Sequence, residues 1–209
     1  MLKKILLNLF LVFGICEAVS QKLVEKQLNA TTFERIVISS KIINTLAINT
    51  EVTDQIRIVS KVVGENCENV VVTTSQENKT LKIGASYSPY FIAENDKLAA
   101  HKVISVDVEL TIPNFLYVEV RTSIASVSVI GNYSNLQANL ENRDCELNNF
   151  LGNASIKTKR GNIKVHVKGS VSGRAFSTNG SVVNYLPGRA KYTIVAESRD
   201  GDISLLQTK

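Results

Sequence analysis

The chain contains little cysteine, proline, histidine or tryptophan, and these shortages exclude several classes of protein. Three cysteines in 209 residues are too few for a miniprotein held together by disulfides. Only 11 glycines exclude a collagen-like fibre, which needs glycine at every third position. Hydrophobic residues make up 44% and charged residues 21%, a balance that is typical of a globular domain and excludes a disordered tail. The length suits a single domain.

The sequence has one long apolar run, which lies at the N-terminus. A polytopic membrane protein needs several such runs, so this class is excluded. Two lysines within residues 1–4 precede the apolar stretch 5–15, and small residues within 18–20 follow it. This order predicts a secretory signal peptide over 1–20, cleaved before Gln21, and a mature domain over 21–209. Two alternatives stay open. The first is an anchor that remains attached, although the run is shorter than the roughly 20 residues that a membrane-spanning helix needs. The second is a lipid on Cys16, which follows a bulky residue where a small one is usual.

The net charge of +5 is a mild excess that favours no particular partner strongly. It is compatible with anionic surface polymers or lipid head groups. The sequence contains no polybasic run and no nucleic-acid motif, so we expect no nucleic-acid partner. We also expect no membrane span in the mature chain, and the oligomeric state stays open.

Two cysteines remain in the mature chain, Cys67 and Cys145. An exported compartment permits a disulfide between them. However, Cys145 occupies a position at which the repeats described below have Ile or Val. We therefore expect a buried thiol that packs as a small apolar residue, with the disulfide as the alternative.

Apolar and polar residues alternate through most of the mature chain, a pattern that predicts β-strands. The longest example covers 103–112, where alternate residues from Ile104 onward would share one face. Valine, isoleucine and threonine dominate these stretches, as strands prefer. An aromatic segment containing Tyr87, Tyr90 and Phe91 is interpreted as a long excursion between two strands.

A six-residue phrase recurs in the C-terminal half: Thr or Ser, two residues, Gly, one residue, and Ile or Val. Complete copies lie at 158–163, 177–182 and 198–203. Two earlier copies, 122–127 and 140–145, have Ala125 and Arg143 in place of the glycine. Successive copies are 18 to 21 residues apart, so they predict structural repeats over about 120–206.

Each phrase predicts a sharp corner, because Gly, Asn and Asp adopt positive φ at low cost. The last residue of each phrase should point inward and stack on its counterparts. These residues are Val127, Cys145, Ile163, Val182 and Ile203, faced by Ala138, Ile156, Ala175 and Ala196. Glycines at 131, 152, 169 and 188 should end the first strand of each repeat, and a second strand should then lead into the next corner. One repeat cannot bury its own apolar face, whereas stacked repeats can.

The sequence therefore predicts an all-β, single-domain β-solenoid or β-helix-like repeat. About five C-terminal coils would form the stack, and the N-terminal strands would continue it. The alternative is a β-sandwich of ordinary hairpins, whose turns also recur at short intervals.

The repeated phrase resembles the putative adhesin family of bacterial envelope proteins. Strand-like stretches at 33–38, 46–50, 56–59 and 106–113 fit the same family, and the resemblance covers residues 24–206. It implies a β-solenoid domain without assigned chemistry, in the periplasm, at the outer-membrane surface or outside the cell. Ala125 and Arg143 depart from the family pattern and imply two corners built without glycine.

The sequence contains no recognisable catalytic motif, whether a nucleophile elbow, a zinc-binding HExxH or a glycine-rich phosphate loop. His101 and His166 are isolated from each other, and we expect no enzyme activity, no cofactor and no metal. One corner aligns polar residues at Asp144, Asn162, Asn179, Asp200 and Asp202. We expect these residues to form a hydrogen-bonded ladder between turns, with a calcium site as the alternative.

Basic residues near the third copy of the phrase form the candidate binding surface. They are Lys157, Lys159, Lys164, His166 and Lys168. Such a row suits a sulfated, carboxylated or phosphorylated glycan; alternatively, it only protects exposed strands from aggregation. The aromatic segment is the second candidate.

Together these features predict an exported cell-envelope protein with a non-enzymatic binding or adhesion function. The predicted partner is an anionic glycan or another envelope component. A structural or regulatory component of envelope stress is the first alternative, and a carbohydrate-active enzyme is the second.

Overall fold

The computed structural model describes residues 21–64, 67–89, 91 and 104–208. The predicted signal peptide, Cys16, His101 and Tyr90 lie outside these residues. The described part of the chain contains fifteen strands and one short 3-10 helix, Cys67–Asn69. This confirms the all-β class that the alternating pattern predicts.

The strands are β1 (Gln21–Asn29), β2 (Arg35–Ser40), β3 (Thr45–Glu51), β4 (Gln55–Val63), β5 (Val70–Glu77), β6 (Thr80–Tyr87), β7 (Ser105–Pro113), β8 (Tyr117–Thr122), β9 (Ser126–Leu140), β10 (Cys145–Thr158), β11 (Ile163–Val167), β12 (Val171–Ser177), β13 (Val182–Asn184), β14 (Tyr192–Ser198) and β15 (Ile203–Gln207). In β7, the face predicted from alternation is confirmed, since Val106, Val108, Leu110 and Ile112 are buried.

All fifteen strands belong to one curled sheet with two arms. Arm A has the order β1-β4-β7-β3-β9-β10-β11-β15-β13, and arm B has the order β5-β6-β2-β8-β9-β10-β14-β12. The long strands β9 and β10 belong to both arms, because their first halves pair in arm A and their second halves in arm B. One hydrophobic core contains the buried residues of both arms.

The two long strands bend where they pass from arm A to arm B. Gly131 and Gly152 lie at these bends with φ of 115° and 145°, values that L side chains rarely adopt. Inside the bend the ring of Tyr133 stacks on Phe150 with a centroid distance of 5.4 Å. The expectation that these two glycines end a strand is wrong, because each strand continues through its bend. Gly169, with φ of 73°, does follow the end of β11 as predicted.

Four of the five residues of the predicted inward stack are buried and lie side by side on paired strands. Cys145 pairs in register with Val127 on one side and with Ile163 on the other, and Ile163 pairs with Ile203. Each is at most 2% exposed. Cys145 is a buried thiol as predicted, and its burial raises the pKa of the thiol to about 12. On arm B, Ile156 pairs with Ala138 and Ala196, as the repeat alignment predicts.

Strand order departs from sequence order in the last two repeats. In arm B, β14 lies between β10 and β12, and in arm A, β15 lies between β11 and β13. The strands of the final repeat, β14 and β15, thus lie between the preceding repeat and the rest of the sheet. The strands of that preceding repeat, β12 and β13, are the edge strands of arm B and arm A. The prediction that Val182 is buried is therefore wrong: it lies on the edge strand β13 and is 42% exposed. Ala175, on the edge strand β12, is only partly buried.

The N-terminal strands join the stack in two different ways. Strands β2, β3, β7 and β8 pair in parallel with their neighbours toward β9, as a continuing stack requires. Strands β1, β4 and β5 pair antiparallel and flank the two arms. The described residues contain no helix that is long and apolar enough to cross a membrane.

Candidate binding groove at a row of corners

A row of corners connects the ends of arm B strands to the following arm A strands. In its C-terminal part the corner glycines stack directly on one another. A Cβ atom on Gly161 would lie 1.9 Å from the carbonyl oxygen of Arg143, and one on Gly201 would lie 1.9 Å from that of Gly161. A Cβ atom on Gly180 would lie 2.2 Å from the carbonyl oxygen of Gly201. These glycines do not have positive φ. The phrase therefore needs glycine for space, and not for the left-handed backbone that we expected.

The Ser or Thr at the first position of the phrase forms hydrogen bonds at the same corners. The Ser198 hydroxyl accepts a hydrogen bond from the amide of Gly201 at 2.9 Å and donates to the carbonyl of Gly161 at 3.2 Å. Ser177 makes the equivalent pair of bonds, to the amide of Gly180 and the carbonyl of Gly201. Each hydroxyl thus satisfies polar groups in its own corner and in the next one.

Three of the five residues predicted for a ladder, Asp144, Asn162 and Asp202, form one on the arm A side of these corners, whereas Asn179 and Asp200 pair with each other. The Asp144 carboxylate accepts from the amide of Asn162 at 2.7 Å, and the Asn162 side-chain oxygen accepts from the amide of Asp202 at 2.9 Å. The Asp202 carboxylate accepts from both the amide and the hydroxyl of Ser181 at 2.8 Å. These bonds from Ser181 lower the pKa of Asp202 below its usual value. Among the described residues no cluster of acidic, His and Cys side chains has the grouping of a metal site.

The other part of the corner row carries a groove of about 830 Å³. It crosses the C-terminal ends of five adjacent arm B strands, in the order β6, β2, β8, β9 and β10. Because neighbouring strands are about 4.8 Å apart, the groove runs about 19 Å across the sheet. Three of the four corners beside it, at 40–43, 122–125 and 140–143, lack the glycine, whereas the fourth, 158–161, has Gly161.

Positive side chains dominate the charge of the groove. The cations that line it are Lys41, Arg121, Lys157 and Lys159. The only carboxylate among the lining residues is Glu141, which lies 3.0 Å from the amine of Lys159. Glu197, outside the lining, lies 2.9 Å from the amine of Lys157. Lys41 pairs with no carboxylate in the described residues. The four cations pair with three carboxylates, Glu141, Glu197 and Glu119, the last of which pairs with Arg121. One positive charge therefore remains in excess.

A buried glutamate fixes the position of Arg121. Glu119 points to the outer face of arm B, yet only 1% of its side chain is exposed, because Arg35 and Arg121 both pair with its carboxylate. The Arg35 guanidinium also lies 4.6 Å from the ring centre of Tyr117. The Tyr117 hydroxyl donates to the side-chain oxygen of Gln137 at 2.8 Å. This network holds the Arg121 guanidinium at the groove, while 62% of its side chain stays exposed.

The aromatic segment contributes to the same groove. Tyr87 lies at the end of β6, lines the groove and is 41% exposed. Its ring stacks on Phe91 with a centroid distance of 5.4 Å. The structure thus brings the two candidates from the sequence together, since Tyr87 shares one cavity with Lys157 and Lys159.

The remaining three candidate residues lie on a different surface. Lys164, His166 and Lys168 are on or next to β11 in arm A and do not line the groove. No carboxylate in the described residues forms an ion pair with Lys164 or Lys168. His166 is half-buried and lines a second cavity of about 510 Å³, where its Nδ1 has no hydrogen-bond partner among the described residues. The single basic stripe predicted from the sequence is therefore two surfaces.

Sequence reasoning missed Lys41, Arg121 and Glu119. A usable signal was present in the repeat, because Arg121 directly precedes the opening Thr of its phrase, as Lys157 does in the third copy. Register confirms the equivalence: Arg121 and Lys157 each pair with Asn139 from opposite sides.

No family model matches the chain, and no curated protein is similar to it. Solved structures align with most of its length. One, described as a "putative cell adhesion protein" from Clostridium sporogenes, has a TM-score of 0.60 at 14% identity, covering 90% of this chain and 100% of that one. Another, described as a "putative adhesin" from Bacteroides fragilis, has a TM-score of 0.37 at 13% identity, covering 90% and 98%. The resemblance to adhesins that the repeat phrase predicts is thus confirmed at the level of the fold.

Proposed function

We propose that this chain is an exported envelope protein that binds an anionic surface polymer, as an adhesin does, without catalysing a reaction. The observation that carries the proposal is the groove, which combines a concave shape, an excess of positive charge and an exposed aromatic ring. A cleft lined by charge of one sign concentrates the field and raises the local concentration of oppositely charged ligands. The fold shared with a structure described as a "putative cell adhesion protein" supports the same role.

The side chains in the groove favour binding over catalysis. Glycoside hydrolysis needs two carboxylates that face each other across the scissile bond. Glu141 is the one carboxylate among the lining residues, and it pairs with Lys159. The buried carboxylate nearby, Glu119, is occupied by two guanidinium groups. Lysine and arginine predominate instead, and they suit the recognition of carboxylate, sulfate or phosphate groups.

We propose an exported location because the signal-like segment 1–20 precedes a domain with an adhesin-like fold. Intact mass and N-terminal sequencing of the exported protein test this. The expected mature chain begins at Gln21, whereas a chain that begins at Cys16 with added acyl mass contradicts the proposed cleavage.

For the C-terminal half we propose a short β-solenoid. The support is the parallel register of β9, β10 and β11, whose inward residues recur every 18 positions. At one end of this solenoid the coils do not follow sequence order, because the last repeat lies between the preceding repeat and the rest of the sheet.

A polymer-binding experiment tests the proposed function. Purified protein 21–209 is passed over surfaces coated with polygalacturonate, dextran sulfate or neutral dextran. We expect retention on at least one anionic surface, none on neutral dextran, and weaker retention as salt rises, because exposed charges are screened beyond about 8 Å at physiological ionic strength. Absence of retention on both anionic surfaces at low salt, or release of shortened polymer, contradicts the proposal.

A further inference from the structure

We infer that the ligand is an acidic polysaccharide chain lying along the groove, across the strands, with Arg121 and Lys157 as its two charged anchors and Glu119 as the residue that positions Arg121. The inference rests on the proposed function, because it specifies the polymer, the surface and the direction in which the polymer binds.

The two anchors are spaced regularly by the sheet. Arg121 on β8 and Lys157 on β10 pair in register with Asn139 on the strand between them, β9. Their backbones are therefore two strand spacings apart, about 9.6 Å. Asn139 places an amide between the two cations. An extended polymer with anionic groups at intervals, separated by uncharged polar groups, matches this order of side chains.

Glu119 holds the Arg121 guanidinium in position to bind an anionic group of the ligand. Burial of a carboxylate is costly unless charged partners offset it, and here both Arg35 and Arg121 do so. A guanidinium has five N–H donors, so pairing with Glu119 leaves donors for a carboxylate or sulfate of the ligand. Because Glu119 restricts the Arg121 side chain before binding, less conformational entropy is lost when the ligand arrives.

The neutral lining residues favour a polysaccharide over other polyanions. Ser39, Ser86, Ser123 and Asn139 offer hydroxyl and amide groups, which suit the hydroxyl groups of sugars. The exposed ring of Tyr87 offers an apolar face for a pyranose ring. Single-stranded nucleic acid needs a series of aromatic platforms, and a flat membrane surface cannot enter a concave groove.

The lysines on the β11 surface provide the matched control. Lys164 and Lys168 carry the same charge as Lys157 but lie on arm A and do not line the groove. If charge alone attracts the ligand, replacing Lys164 or Lys168 should weaken binding as much as replacing an anchor. If the groove binds the ligand, replacing them should have little effect on binding.

Binding is measured by fluorescence anisotropy with labelled oligogalacturonates and sulfated dextran oligomers of increasing length. We expect affinity to rise with length up to the groove length of about 19 Å and then to level off. Arg121→Ala and Lys157→Ala should each weaken binding about tenfold, whereas Lys164→Ala should stay within about twofold. The carboxylated and sulfated probes distinguish which acidic group is preferred.

Glu119→Gln tests the positioning role, with thermal melting as the check that the protein still folds. We expect weaker binding, together with loss of the advantage of arginine: Arg121→Lys should weaken binding in the wild-type background and have little effect in the Glu119→Gln background. A structural role alone would leave the arginine preference unchanged, and that result overturns the positioning role.

The outcomes separate this inference from the proposed function. If the wild-type protein binds neither probe, both fail. If it binds, but Lys164→Ala weakens binding and Arg121→Ala and Lys157→Ala do not, the groove assignment is overturned while anionic polymer binding stands.

Discussion

The two parts of the corner row follow one plan, and the difference that both earlier copies share is the loss of the glycine. In the C-terminal part, Gly161, Gly201 and Gly180 bring successive corners into backbone contact, so no space remains between them. In the other part, Ala125 and Arg143 occupy the glycine position, and a groove opens beside those corners. Three of the four corners beside the groove thus depart from the glycine of the repeat.

The comparison also separates two uses of positive charge. Lys164 on arm A lies on the outer face of a regular strand. Arg121, in contrast, is held at a concave surface by the buried Glu119. A count of basic residues in the sequence treats the two alike. The concave surface and the pairing with Glu119 distinguish Arg121, and the burial of Glu119 also requires Arg35, which is distant along the chain.

The largest effect is expected at the tight corners. Gly201→Ala places a methyl group against the carbonyl of Gly161, and relief requires the backbone itself to move. We expect a loss of more than about 5 kcal/mol in the free energy of unfolding, enough to abolish the folded state. Gly188→Ala is the control, since nothing lies within 4 Å of its new methyl group. Equal melting temperatures for the two variants contradict the close contact between corners.

The next effect concerns the inward stack beside the corners. Ile163→Ala removes a fully buried side chain between Cys145 and Ile203, and it should cost about 2–5 kcal/mol. Lys164→Ala, the adjacent exposed residue, should cost little. Urea denaturation of both variants measures the difference. Similar small losses for the two would show that the stacked register is wrong.

The smallest effect concerns the ladder at the tight corners. Hydrogen bonds from Ser181 lower the pKa of Asp202 in the folded state, so the ionised carboxylate stabilises the fold above its usual pKa near 3.8. This contribution is lost as pH falls through the lowered pKa. Asp202→Asn keeps an acceptor oxygen but does not titrate. Melting curves from pH 6 to pH 2 should fall less steeply for the variant, and parallel curves contradict a role for the Asp202 charge.

The sequence predicts the repeat better than it predicts the order of repeats. Cys145 and Ile163 stack as expected, because the position after each corner has one inward direction. The exchange of β12 with β14 was not predictable, since both strands lead into the same phrase and either sequence fits either position. The antiparallel flank formed by β1, β4 and β5 has the same alternating pattern as the parallel strands and gives no separate signal.

The candidate site was predictable only in part. Lys157 and Lys159 stand out because they cluster along the chain with other basic residues. Arg121 joins them only through pairing across Asn139, which requires the register of three strands. Glu119 looks like an ordinary polar residue of an alternating strand, and its burial depends on two arginines from different strands.

Backbone amide chemical shifts, followed by NMR during titration with an acidic oligosaccharide, test the central claim most directly. The claim is that the groove beside the corners without glycine, and not the basic face of β11, binds the ligand. We predict the largest shift changes at 39–41, 121–123, 139–141 and 157–159, with little change at 164–168. Changes confined to 164–168 would contradict the account.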